Sequence, residues 1–150
     1  ASNKNLITSE GKTIYQVTDS VVSMRNENIH FSSLNNEAVL IKGPEIVSLA
    51  LALDVIIGNA LKYGAPPIKI RIENNILYIS DQGKGLKDGL IEELTDESKS
   101  SNASGYGNSL KFVFTLLRES GWIVTIDTEA QGASYIIRRG IKNWAEKAIS

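Results

Sequence analysis

Three polar residues, Asn59, Lys62 and Tyr63, crowd the end of an otherwise apolar stretch, LALDVIIGNALKYG at 51–64. On a helix at about 100° per residue, Lys62 lies roughly 60° and Tyr63 roughly 40° from Asn59, so the three share one edge. An amide oxygen can ligate a hard cation such as Mg²⁺. A lysine one turn on reaches a phosphate as a point charge, and a tyrosine ring offers a flat face to a base. The plain alternative is a solvated last turn, with a lysine near the negative end of the helix dipole.

Two further groups carry chemistry. DQGKG, Asp81 to Gly85, follows the strand-like run ILYIS. Gly83 and Gly85 let the chain turn sharply beside a ligand, and a carboxylate at a strand end accepts a hydrogen bond from an exocyclic amine. An ordinary Asx-capped turn has the same look. SGYGNSL, 104–110, opens a helix after a glycine-rich loop. Backbone N–H groups at such a start form an anion site, or the segment is simply a loop capped by Asn108.

The elements that must position these groups are legible from periodicity and punctuation. Residues 1–12 read as a loose N-terminal segment and 13–25 as a helix. NIHFSSL (28–34) and AVLIKG (38–43) read as strands. Pro44 suits the first turn of a helix that runs to Tyr63 and stops at Gly64, ahead of Pro66-Pro67. IKIRIE (68–73) and ILYIS (76–80) alternate around Asn74-Asn75, a two-residue hairpin. An irregular stretch, 82–107, holds one apolar knot at Leu90, Ile91 and Leu94. A helix over 108–120 and a hairpin of 122–128 with 133–139 follow, then a short amphipathic tail, 141–150. Helices and paired strands come in blocks, which predicts an α+β fold, a two-layer sandwich whose mixed, mostly antiparallel sheet is covered by helices on one face. Two tight hairpins disfavour a parallel, doubly wound sheet.

Bulk composition sets limits. The 150 residues carry 16 basic and 17 acidic side chains, a formal charge of -1, so no basic excess points to nucleic acid. There is no cysteine, which removes disulfides and thiolate metal sites. The apolar run 46–61 reads as too interrupted and too short for a membrane span, and no signal peptide is recognised. A start at Ala1 rather than Met is what a piece of a longer protein would show.

The order of parts (Asn on a helix, strand then Asp-x-Gly-x-Gly, loop, Gly-x-Gly opening a helix) resembles the Bergerat-type ATP-binding fold. Gyrase B subunits, large heat-shock chaperones, mismatch-repair ATPases and sensor histidine kinases share it. NALKYG (59–64) is most similar to the histidine-kinase N box, DQGKGL (81–86) to the G1 box and GYGNSL (105–110) to the G2 box. QGASYIIRR (131–139) resembles the final hairpin, and the likeness spans nearly the whole chain. It implies a catalytic domain over 13–140 that binds ATP and Mg²⁺. Asp81 would meet the adenine amino group, with Gly83 and Gly85 letting the backbone pass the base. Asn59 would hold Mg²⁺, Lys62 would pair with phosphate and Tyr63 would lie along the adenine or ribose. Gly105 and Gly107, with backbone amides up to Leu110, would cradle the phosphates. The same resemblance extends the ATP-binding set to Leu86, Tyr106, Asn108, Ser109 and Ser134, and makes 86–104 the ATP lid.

The chain departs from the family pattern at several places. Ser109 stands where the G2 box usually has Gly. Val55 stands four residues before Asn59, where kinases often have Asn and the hydrolytic relatives and anti-sigma serine kinases a Glu as general base. Asp54 does not substitute, because it lies roughly 140° from Asn59. The lid lacks the paired Phe of the family's F box, though Ile91 and Leu94 share its spacing. The only histidine, His30, sits in a strand pattern with no following acidic residue on a helix, so it reads as structural or surface. The phosphoacceptor histidine is then expected on separate dimerisation and phosphotransfer helices, in a longer chain or a partner. A response regulator would act downstream, and no direct membrane contact is expected of this cytoplasmic domain. The alternatives are a catalytically weak, nucleotide-gated binding module and an anti-sigma-type serine kinase.

Overall fold

The computed structural model describes residues 11–25, 28–34, 38–95 and 106–140. The readings made for 1–10, for 96–105 (Gly105 and the second half of the lid) and for 141–150 lie outside them. Among the described residues the order is β1 (Lys12–Thr13), α1 (Ile14–Ser23), β2 (Ile29–Leu34), β3 (Leu40–Ile41), α2 (Pro44–Tyr63), β4 (Ile68–Glu73) and β5 (Ile76–Ser80). Then come α3 (Asp88–Thr95), α4 (Tyr106–Glu119), β6 (Trp122–Ile126) and β7 (Ser134–Arg139).

Five strands form one sheet in the order β2-β4-β5-β7-β6, with β2 parallel to β4 and every other neighbouring pair antiparallel. The mixed, mostly antiparallel sheet is as expected. The β4–β5 hairpin turns on Asn74 and Asn75, both at positive φ (54° and 62°), the conformation a two-residue hairpin needs and Asn tolerates. Alternation along β4 buries Ile68, Ile70 and Ile72 and turns Lys69 and Arg71 to solvent. The buried face carries the core, built with Leu49, Leu53, Ile56 and Ile57 of α2 and Leu110, Phe114 and Leu117 of α4. Among the described residues, helices thus cover one face and leave the other open.

Local signals account for the helix ends. Thr13 caps α1 in a reciprocal box with Gln16: the Gln16 N–H donates to Thr13 Oγ1 at 3.0 Å, and the Thr13 N–H to Gln16 Oε1 at 2.9 Å. α2 begins at Pro44 and is tied to the far hairpin through Glu45. Its carbonyl accepts from Trp122 Nε1 (3.2 Å), and its carboxylate pairs with Arg139 Nε (2.9 Å). By length and apolar content alone α2 would pass for a membrane span, contrary to the sequence reading. The fold spends that apolarity on burial, with eight of its residues inside.

Three expectations need correction. The strand expected over 38–43 shrinks to Leu40–Ile41 and pairs with β1 in a separate two-stranded sheet, since only Ile41 finds the core while Leu40 stays 56% exposed. The stretch after Gly85 is not irregular throughout: Asp88–Thr95 is a helix. Leu90 and Leu94, rather than Ile91 and Leu94, are its buried pair, because residues four apart share a helical face. α4 starts at Tyr106, two residues before the expected Asn108, so Gly107 belongs to its first turn.

Candidate functional site

The site is built where the end of α2 meets the turn after β5. Asp81 is the one buried carboxylate among the described residues, 6% exposed. Its Oδ1 accepts from the Gly83 N–H at 2.8 Å and the Ala133 N–H at 3.4 Å. Its own N–H donates to the Ala133 carbonyl at 3.0 Å. Oδ2 has no hydrogen-bond partner among the described residues. A largely buried carboxylate with one oxygen uncommitted is an open acceptor at the cleft.

Asn59 lines the same cleft as Asp81, with Tyr63, Gly64, Gly85 and Ala133 around them. Its Nδ2 is buried without a partner. Two unmet polar groups, one a carboxylate and one an amide, therefore face a shared space from α2 and the sheet. As it stands that space is about 10 Å³, room for one water and not for a purine. The turn is drawn against α2 by a hydrogen bond from the Gln82 N–H to the Ala65 carbonyl (2.8 Å). Gly83 lies so near that a methyl there would sit 2.8 Å from Gly64 Cα. The glycine at 83 thus first serves contact between the two walls. Gly85, at φ +85°, holds a conformation that favours glycine.

The other expected site residues distribute as follows. Tyr63, 46% exposed, stands at the rim, and Lys62 lies outside the cleft with its Nζ 5.3 Å from the Tyr63 ring centre. Leu86 is half-buried against the core and, with Ile91, lines an adjoining pocket of about 440 Å³. Tyr106, Gly107 and Asn108 form the first turn of α4, Ser109 is exposed, and Leu110 is fully buried, so only its backbone can serve a ligand. Ser134 starts β7, which turns Tyr135 and Ile137 into the core; it lines the uncovered side of the sheet with Tyr78 and Ile136 and also the adjoining pocket with Gly85 and Leu86. Ala133, one residue earlier, is what the hairpin brings to Asp81.

Sequence reasoning missed Gly64, Gly132 and Ala133 as site residues. A methyl at Gly132 would lie 2.2 Å from the Asp81 carbonyl oxygen, and one at Gly64 would lie 2.6 Å from the Asp81 carboxyl. Gly64 reads as a helix stop and Gly132 as a turn glycine. No local signal separates a glycine that ends an element from one that makes room. The remaining departures settle simply. Asp54 turns away from Asn59 and pairs with Arg25 at 2.8 Å. Val55 packs half-buried against the core. His30 is exposed beside Lys69 and Arg71 on the uncovered face.

Residues 45–140 match the family model described as "Histidine kinase-, DNA gyrase B-, and HSP90-like ATPase". The chain belongs to this family. Solved structures similar to it include the mycobacterial sensor histidine kinase MprB, at 20% identity and TM-score 0.58, covering 88% of this chain and 99% of that one. The histidine kinase domain of the E. coli osmosensor EnvZ gives 19% and 0.63, with 89% and 88% covered. The ATP-binding domain of PrrB from Mycobacterium tuberculosis gives 17% and 0.60, with 88% and 96% covered. At such identities these likenesses speak for the fold. No curated protein matches the chain in sequence. As a member of the histidine kinase-, gyrase B- and HSP90-like ATPases, the chain carries their ATP-binding domain, and the cleft between α2 and the sheet is read accordingly below.

Proposed function

We propose that this domain binds Mg-ATP in the Asp81–Asn59 cleft and delivers the γ-phosphoryl group to a histidine on separate dimerisation and phosphotransfer helices. The observation that carries the reading is one cleft lined by both Asn59, whose Nδ2 is buried without a partner, and Asp81, whose Oδ2 accepts from no donor among the described residues. A carboxylate oxygen with no internal donor accepts the 6-amino group of adenine, and the purine lies between Tyr63 and the 81–85 turn. The triphosphate then runs toward the first turn of α4, because N–H groups at a helix start and the helix dipole favour anions. Lys62, exposed at the rim, meets phosphate from outside.

The residues fit a magnesium ion as a shared ligand. Mg²⁺ typically takes one or two protein ligands and completes its shell with phosphate oxygens and water. Asn59 supplies one amide oxygen once its side chain is turned to the ligand, and among the described residues no cluster of three His, Cys, Asp or Glu offers more. When bound, the ion neutralises developing charge on the phosphates. The chain's own part is to position the nucleotide and exclude water, which suits phosphoryl transfer to an acceptor from elsewhere. Val55, one turn before Asn59, supplies no base to activate water at that position, so hydrolysis by the domain alone is expected to be slow. The reading implies a cytoplasmic setting with a response regulator downstream.

Calorimetric titration of ATP with and without Mg²⁺ tests the binding half. No saturable heat at millimolar nucleotide would remove it. Radiolabelled ATP mixed with the matching histidine-bearing helices tests transfer. The closed cleft and the missing base also favour a second reading, a module that only reports nucleotide to a partner. Binding without transfer would establish that one.

A further inference from the structure

We infer that Gly64 is a positioning residue for base recognition, holding the Asp81 carboxylate in place by having no side chain. The inference rests on the adenine reading of Asp81 given above.

Asp81 is wedged between two backbones. On one flank a methyl at Gly132 would lie 2.7 Å from Oδ1; on the other a methyl at Gly64 would lie 2.6 Å from both Cγ and Oδ2. Oδ1 is further fixed by the N–H groups of Gly83 and Ala133. Those two donors hold the carboxyl group in its present orientation. Oδ2, which has no donor among the described residues, occupies space that a side chain at position 64 would take. A side chain at 64 has no free direction either, because the Ala60 carbonyl oxygen lies 2.8 Å from where its methyl would be. An ordinary carbon–oxygen contact begins near 3.5 Å, so an alanine must displace Oδ2 or the helix end by roughly 1 Å. A hydrogen bond to a base amine does not survive a shift of that size in both length and angle. The first turn of α4, to which the phosphates are assigned, is not among the atoms that a methyl at position 64 would meet.

The test uses base selectivity. ATP and inosine triphosphate differ at the 6-position, where adenine donates through its amine and hypoxanthine carries a carbonyl. The parent chain is expected to bind ATP at least tenfold more tightly. Gly64→Ala should weaken ATP by at least tenfold and leave inosine triphosphate within twofold, collapsing the ratio. Equal weakening of both nucleotides, or an unchanged ratio, overturns the assignment. A parent chain that binds neither nucleotide instead removes the ATP reading and this inference with it. Should Gly64→Ala not fold, thermal melting of the Gly64→Ala/Asp81→Ala double variant decides. If the carboxyl is what the methyl strikes, removing it restores folding. If the double variant is no more stable than Gly64→Ala alone, the clash lies with the Ala60 carbonyl and the assignment is overturned.

Discussion

Asp81 and Asn59 illustrate how a residue's chemistry shows in what it leaves unpaired. Asp81→Asn keeps the shape but puts an amide where a carboxylate oxygen meets a base amine. ATP binding should weaken at least tenfold, about 1.4 kcal/mol or more, by calorimetry. A change below twofold would place the base elsewhere. Asn59 separates function from stability. Its Nδ2 is buried and unmatched, so Asn59→Ala removes a buried amide nitrogen that makes no hydrogen bond in the folded chain. The apo melting temperature should stay level or rise, while the gain in ATP affinity conferred by Mg²⁺ disappears. A lowered melting temperature with Mg²⁺ dependence intact would argue that the amide is structural. Both residues could be singled out in the sequence because polar types stood against apolar surroundings. The face that Ser134 takes was not legible, because Ile136 and Ile137 fill both parities of ASYIIRR. Burial in the folded sheet shows that Tyr135 and Ile137 point inward.

At the scale of elements, legibility followed length. The twenty residues of α2 and the alternating hairpin carried enough periods to be read nearly to the residue. α3 has eight residues, including Gly89, too few to hold a helix by local propensity. Contacts that lie far along the chain make it a helix. Leu90 and Leu94 are buried, Lys111 Nζ donates to the Glu93 carbonyl at 2.6 Å, and Arg118 Nη1 donates to that of Leu94 at 3.2 Å. Both cations sit on carbonyls at the helix's C-terminal end, where positive charge is favoured. Leu94→Ala should therefore loosen α3 as a unit. Amides in 88–95 should exchange faster in hydrogen-exchange measurements while those of β4 and β5 keep their protection. Uniform acceleration across the sheet would show that α3 is not a separable unit.

At the scale of the molecule, blocks of helices and paired strands were enough to predict the two-layer arrangement. They could not foretell that the two walls of the cleft touch, because Gly64 and Gly83 stand nineteen positions apart and meet only through the packing of α2 on the sheet. That contact governs how ligand enters. The space between the walls is about 10 Å³, next to a pocket of about 440 Å³ that shares Gly85 and Ala133. A base that enters between the walls therefore displaces the Gln82–Ala65 hydrogen bond or the Gly64–Gly83 contact. Either the end of α2 or the 81–85 turn moves, and both are anchored: α2 by its buried stripe, the turn by Asp81. If opening precedes entry, the competent state is a minor one and apparent affinity is reduced by its population. Stopped-flow mixing with a fluorescent ATP analogue should then give an observed rate that levels off as nucleotide rises, at the rate of opening. The plateau should rise in Gln82→Pro, which deletes the N–H that joins turn to helix. A rate that climbs linearly with nucleotide, at the same slope in both chains, would mean that the walls part without resistance.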